Sequence, residues 1–490
     1  MSILRKLASQ TAVYGLSSVL GRMLNYLLVP LYTSVFAPLE YGIVTELYAY
    51  VAFLNILYIY GLETAYFRFS SQENGANYFN LAFTSILVTS ILFSGITWIL
   101  SGHIAVALDY PDKQNFIQWL AAILAIDAIV AIPFARLRQV GKAYHFAVFK
   151  LSNIGVNIFL NIFFIILCPL ILRDYPQSFI RHIYNPDLGV GYVFLSNLIA
   201  NGLYLLFFFK DWLKVKLTFN AAEWKRMMKY AWPVLIIGFA GVTNEMLSRA
   251  ILKYRLPEGF YDGYTNLEVL GIFGACYKLS VFMTLAVQAF RYAFEPFFFA
   301  QAKEKNSPQV FSQVMTMFVL FTSFSWLVLC IFMPYYAPIF LRQESYLMAL
   351  DAVPWLLGGG LFLGVFYNLS LWYKLTDNTL YGAYISLIGA FTTFVLNWML
   401  IPVMGYMGSA IATFASYLLM VAISYVWGMR HYPVPYQVWK VIAYVGLAAG
   451  GIILNEQFEQ SPFIAVLITL IFLTLSIIFE RKSLSRFRAK

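Results

Sequence analysis

Nine charged side chains fall inside long apolar runs of this 490-residue chain, or just within their ends: Arg22, Glu46, Asp127, Lys150, Glu245, Arg249, Lys278, Arg291 and Glu295. A charge at the centre of a bilayer costs about 2.5–3.5 kcal/mol on insertion scales, so each calls for a partner, water or a ligand. Glu245 with Arg249, and Arg291 with Glu295, stand four residues apart and can pair along one helix. Arg22 has no acid at i±3 or i±4. It either pairs across helices or holds an anionic ligand, and Lys278, at similar depth, has the same two readings. Asp127, in LAAILAIDAIVAIP, either carries a coupling proton or cation or pairs with Arg22 or Lys278; pairing is favoured. Glu46 and Glu245 complete the set of coupling-ion candidates.

Neutral polar residues recur at helical spacing beside these charges. Thr11, Gly15, Ser18, Arg22 and Asn25 share one face, as do Lys150, Asn153, Asn157 and Asn161. Ser386, Gly389, Thr393 and Asn397 form a third stripe, and Gly238, Gly241, Glu245 and Ser248 a fourth. A polar stripe faces lipid only at a cost, so these faces are expected to look inward. The glycines of the fourth stripe also suit close helix packing.

The elements that must position these residues are membrane helices. Apolar types make up 61% of the chain and charged types 11%, and the mean hydropathy is +0.72. That composition leaves no room for a large soluble domain. Runs long enough to cross a bilayer can be placed fourteen times: 10–35, 41–62, 78–100, 116–135, 145–171, 189–209, 229–252, 267–297, 310–333, 351–373, 380–402, 406–428, 438–454 and 462–479. With both termini cytoplasmic, 22 of the 33 Lys and Arg fall on the inside and 6 on the outside, the bias that membrane topology imposes. Ten of the eleven tryptophans lie near span ends, Trp326 being the exception.

The basic segment KDWLKVKLTFNAAEWKRMMK divides six spans from eight and is expected to lie on the cytoplasmic surface. The expected organisation is an N-terminal lobe (1–210), an amphipathic linker (211–228), a C-terminal lobe (229–430), and two further spans with a basic tail (431–490). The lobes show traces of a repeat. Ala147, Leu151, Leu160, Asn161 and Ile165 align with Ala383, Leu387, Leu396, Asn397 and Ile401. Gly42, Ile43, Tyr48 and Phe53 align with Gly271, Ile272, Tyr277 and Phe282. Six spans per lobe give both the same orientation, with a substrate site expected between them.

Several functions are disfavoured. Cys168, Cys276 and Cys330 are far apart and read as buried free thiols. The chain has no nucleotide-binding G-x-x-x-x-G-K-[ST] loop, no H-E-x-x-H and no G-x-S-x-G. Its four histidines lie near span ends or in loops and suggest no metal site. Short outer loops argue against an enzyme working outside. The net charge of +10 reflects loops against anionic lipid rather than nucleic-acid binding. No cofactor is called for.

LNWMLIPVMGYMGSAIATFASY (396–417), LYTSVFAPLEYGIVTELYAYVAFL (31–54) and YGLETAYFRFS (60–70) resemble the multidrug/oligosaccharidyl-lipid/polysaccharide exporter superfamily, in its polysaccharide-transporter branch of Wzx-type flippases. The resemblance runs over the whole chain and departs at Ser34, where relatives often carry arginine. It implies an all-α membrane protein of 14 transmembrane helices. Two pseudo-symmetric six-helix lobes would surround a central cavity, with two C-terminal helices added. It implies alternating access in the bacterial inner membrane, moving a polyprenyl-pyrophosphate-linked oligosaccharide to the outer leaflet. Arg22, Arg249, Lys278 and Arg291 match the family's cavity cations. The residues add Asn25, Asn153, Asn157 and Asn397 for sugar hydroxyls. Membrane lipid, a polysaccharide polymerase and chain-length machinery are the implied partners. A multidrug or cation antiporter and a lipid II flippase of the same superfamily are the nearest alternatives, followed by a non-transporting scaffold of a glycan-synthesis complex.

Overall fold

The computed structural model describes residues 15, 17, 19–70, 75–302, 304–376, 378–458 and 461–488. Among these every regular element is helical. Eleven helices are long and apolar enough to cross a membrane, or twelve when a bent pair is counted as one span. Among the described residues the count of fourteen is not confirmed, for two reasons. Gly191–Phe207 is a shorter apolar helix of 17 residues, at the lower limit for a span. The expected first span, 10–35, lies largely outside the described residues, and its described part is interrupted at Leu27 before Leu28–Val35.

Two compact units divide the chain at Lys253 and Tyr254. In the first unit, helix starts follow local chemistry. Pro38 opens Pro38–Ile59 at the position where a missing N–H costs nothing, and Glu40 accepts from the Ala37 N–H at 3.2 Å. The helix ends at Tyr60 and Gly61, both at positive φ. A Cβ on Gly61 would lie 2.5 Å from the Ala231 carbonyl oxygen, so the close approach of Ala221–Arg255 requires glycine there. Asn220 caps Ala221–Arg255 by accepting from the N–H groups of Ala222 and Glu223. That helix begins eight residues before the expected span and runs for 35. Trp212 and Trp224 of the connecting segment pack on a core that includes Phe79, Phe83 and Met227.

Ala143–Ile162 passes through a π-turn, Phe163–Leu167, into Cys168–Asp174. Pro169 has no N–H to give the preceding turn, which accounts for the altered pattern just before it.

In the second unit, Thr265 and Glu268 form a reciprocal capping box ahead of Asn266–Leu279. That helix and Val281–Tyr292 meet at a 41° bend across Ser280. Val353–Leu369 packs through glycine: Gly358 against Phe414, Gly360 against Met283 and Gly364 against Phe318. Trp326, the one tryptophan away from a predicted span end, is interior, and its indole N–H donates to the Pro354 carbonyl at 2.9 Å. The last two helices, Val438–Gln457 and Pro462–Arg488, are joined by a buried ion pair, Lys440 Nζ to Glu480 Oε1 at 2.6 Å. The Tyr444 hydroxyl donates to the same oxygen at 2.8 Å.

The aligned stripes take the same local form in each unit. Asn161 Nδ2 donates to the carbonyl of Asn157, and Asn397 Nδ2 to that of Thr393, each at 2.8 Å and each from a fully buried side chain. Gly42 and Ile43, like Gly271 and Ile272, are buried; Tyr48 and Phe53, like Tyr277 and Phe282, are half-buried.

Candidate functional site

Five helices of the first unit bring polar side chains together within their apolar spans. Ala143–Ile162 supplies Lys150, Asn153, Asn157 and Asn161 from one face. Asn153 Nδ2 donates to Asn201 Oδ1 at 2.9 Å, and Asn201 Nδ2 donates to Asp127 Oδ1 at 3.0 Å. The three form an oriented chain of amides ending on a half-buried carboxylate. Lys150 adds a positive charge that interacts with Asp127, while its ammonium lies over the rings of Phe134 and Tyr204 at 4.4 and 5.2 Å. Nearby in the sequence stripe, the Tyr32 hydroxyl donates to Asn161 Oδ1 at 2.9 Å, and Asn197 Nδ2 donates to the Tyr48 hydroxyl at 2.7 Å. These groups offer amides, hydroxyls and aromatic faces, with one carboxylate and one ammonium. That inventory suits a neutral polyhydroxylated ligand better than a metal. Among the described residues no cluster of His, Cys, Asp and Glu could hold a metal ion.

Glu46 lies in a second cluster of the same unit. Its carboxylate is fully buried and accepts from the hydroxyls of Tyr110 and of Tyr50, the latter at 3.0 Å. Lys253 Nζ lies 3.5 Å from Glu46 Oε2, 3.2 Å from Asp109 Oδ2, and donates to the Leu108 carbonyl at 2.9 Å. Lys253 therefore ties the end of Ala221–Arg255 to Pro38–Ile59 and to the turn at Asp109, whose φ is +65°.

The remaining predicted residues are distributed. Arg22 and Asn25 sit on the helical segment 19–26 and are exposed. Beside them Gly21 is buried, and a Cβ there would meet Ile154 at 2.6 Å, so this segment packs on the asparagine-bearing helix. Glu245 is exposed and Arg249 buried; Arg249 donates to the Glu245 backbone carbonyl at 2.8 Å rather than to its carboxylate. In the second unit, Lys278 occupies the last turn before the 41° bend, where a cation also complements the helix C-terminus. Arg291 lies over the Tyr367 ring at 4.8 Å, beside a small surface cleft that Asn368 and Lys374 also line. The Glu295 side chain lies outside the described residues. Asn397 is wholly buried against its own helix. Asn197, Asn201, Tyr110 and Lys253 were not singled out from the sequence. Asn197 and Asn201 do stand four apart on Gly191–Phe207, a signal that periodicity could have supplied.

A family model described as "Polysaccharide biosynthesis protein" matches residues 35–171. That range holds Glu46, Asp127, Lys150, Asn153, Asn157 and Asn161. Among solved structures, the lipid II flippase MurJ in an inward closed conformation is similar at a TM-score of 0.72 and 14% identity, over 96% of this chain and 99% of that one. An inward-facing multidrug resistance MATE family transporter of the MOP superfamily aligns at a TM-score of 0.54 and 14% identity, over 86% and 94% of the two chains. The chain shares a fold with transporters of the MOP superfamily. A Vibrio cholerae MATE transporter aligns to this MOP fold at a TM-score of 0.57 and 14% identity, covering 87% of this chain and 95% of its own. No curated protein sequence matches. The MOP fold sets the first unit's network on membrane helices and leaves the ligand to be argued from chemistry.

Proposed function

We propose that this protein is a flippase that moves a polyprenyl-pyrophosphate-linked oligosaccharide, the repeat unit of a surface polysaccharide, from the cytoplasmic to the outer leaflet of the bacterial inner membrane. It works by alternating access, coupled to an ion or to the membrane potential. The observation that carries the reading is the first unit's intramembrane network, in which amides and hydroxyls far outnumber charges. Sugar hydroxyls exchange hydrogen bonds with such groups without the desolvation penalty of an ion. Arg22, Arg249, Lys278 and Arg291 are the cations assigned to the pyrophosphate, since guanidinium and ammonium groups replace its water with charge-assisted bonds. Asp127 is the proposed coupling group, because its carboxylate is half-buried and bears a single amide donor. A polysaccharide polymerase and chain-length machinery would receive the product.

The test is deletion of the gene, with lipid-linked oligosaccharide and surface polysaccharide measured together. Complementation uses wild type and Arg22→Ala. Accumulated lipid-linked oligosaccharide and lost surface glycan, both rescued by wild type and not by Arg22→Ala at equal membrane abundance, are expected. Unchanged glycans with altered drug or cation sensitivity would replace this reading with an antiporter. The similarity to MurJ favours lipid II as the second substrate reading, and arrested peptidoglycan synthesis on depletion would select it.

A further inference from the structure

Three helix ends of the first unit converge on a cleft that the transport reading does not use. Arg136 lies in the last turn of Gln114–Gln139, Lys142 immediately precedes Ala143–Ile162, and Asp211 lies in the short helix Phe209–Trp212 that follows Gly191–Phe207. Together with Phe79, Pro133 and Val140 they line about 510 Å³ of empty space, part of it open to solvent.

The charges of this cleft are not consumed by one another. Among the described residues no carboxylate pairs with Arg136 or Lys142 within ion-pair distance, and Asp211 makes no side-chain ion pair. The Arg136 guanidinium lies over the Phe79 ring at 4.7 Å, a contact that does not use its N–H donors. Neighbouring Arg138, by contrast, is paired with Glu63. The cleft therefore presents two cations and one carboxylate in one wall, a pattern that fits neither a simple anion nor a simple cation. A ligand with a phosphate and an amine satisfies all three.

The setting indicates where such a ligand comes from. Each charged residue stands at the end of an apolar helix, the level at which lipid headgroups lie. Large apolar side chains are exposed at the same helix ends: Val140, Tyr144, Leu206 and Phe209 are all more than half exposed. They offer lipid tails a surface next to the charged cleft.

We propose that this cleft is a binding site for an aminophospholipid headgroup. The phosphodiester would lie against Arg136 and Lys142, and the ammonium against Asp211. None of the lining residues belongs to the network assigned to transport, and the proposal stands whether or not the transported substrate is an oligosaccharide lipid.

The experiment uses the full-length protein, purified in detergent and examined by native mass spectrometry during titration with phosphatidylethanolamine, phosphatidylglycerol or soluble glycerophosphoethanolamine. Wild type is expected to retain phosphatidylethanolamine preferentially. Arg136→Ala with Lys142→Ala should weaken retention of both lipids about tenfold, as loss of charge-assisted bonds predicts. Asp211→Asn should remove the preference for phosphatidylethanolamine while leaving phosphatidylglycerol bound, a selective change that misfolding would not produce. Equal binding of the two lipids by wild type, or no effect of Asp211→Asn, would overturn the zwitterionic assignment. Equal occupancy by glycerophosphoethanolamine would overturn the lipid source. Transport is not among the readouts, so failure here leaves the flippase reading untouched.

Discussion

Replacing Glu46 distinguishes an anchor from an ion-coupling group. The carboxylate receives two tyrosine hydroxyls and faces Lys253, with none of its surface open to solvent. Glu46→Ala takes the carboxylate acceptor from both hydroxyls, of which Tyr50 also reaches the Ala250 carbonyl at 3.4 Å, and leaves Lys253 its contacts with Asp109 and the Leu108 carbonyl. Removing the acceptor of a buried donor costs up to about 1–3 kcal/mol, and opening a buried ion pair about 3–5 kcal/mol. Because Lys253 keeps two partners, the total for Glu46→Ala comes to about 3–5 kcal/mol. Glu46→Gln keeps one acceptor oxygen for Tyr50 and loses only the charged component, about 1–2 kcal/mol. Thermal unfolding of the purified protein in detergent should therefore show a drop about three times larger for Ala than for Gln. Glycan export by the Gln variant, corrected for abundance, should stay near wild type. Loss of export in Glu46→Gln at an unchanged melting temperature would refute this reasoning and make Glu46 the titrating group.

Three further perturbations follow from the packing. Removing either Lys440 or Glu480 alone should destabilise by about 3–5 kcal/mol, while Lys440→Met with Glu480→Leu and Tyr444→Phe, which removes the hydroxyl that donates to Glu480, should stay within about 1 kcal/mol of wild type in the same unfolding assay. Asn161→Leu leaves the Tyr32 hydroxyl without its acceptor and should cost about 1–3 kcal/mol. Asn397→Leu should be close to neutral, since the Asn397 Oδ1 has no hydrogen-bond donor among the described residues. Gly405 holds φ +60° and ψ −139° against the Tyr261 ring, so Gly405→Ala should lower folded yield, with about 1–3 kcal/mol from backbone strain alone; size-exclusion recovery reads it.

Helix positions were largely legible because they depend on local sums. Apolar run length places Leu380–Met404 and Tyr406–His431 within a few residues, and a polar stripe at period 3.6 identifies the Asn153, Asn157 and Asn161 face. Partners were not legible, because they lie far apart in the chain. The Glu46 cluster draws Tyr110 from a turn and Lys253 from a position read as loop, 207 residues away. Asp127 accepts from Asn201, 74 residues away on another helix, and interacts with the charge of Lys150. The break at Ser280 is equally hidden: neither glycine nor proline marks it, although the serine hydroxyl there takes up a backbone carbonyl of its own helix. The Gly238 and Gly241 stripe shows both outcomes, since Gly238 touches Ile56 while Gly241 borders open space.

The bend beside Lys278 also bears on speed. A continuous helix that swings in hydrocarbon must first rupture backbone hydrogen bonds that no water can replace, which makes the barrier steep. Between Asn266–Leu279 and Val281–Tyr292 the run is already interrupted, and the Ser280 hydroxyl occupies the Tyr277 carbonyl at 2.7 Å. Reorientation of the segment that carries Lys278 thus needs torsion at one joint rather than local melting. Such a joint permits microsecond-to-millisecond swings, the range in which hinged domains move.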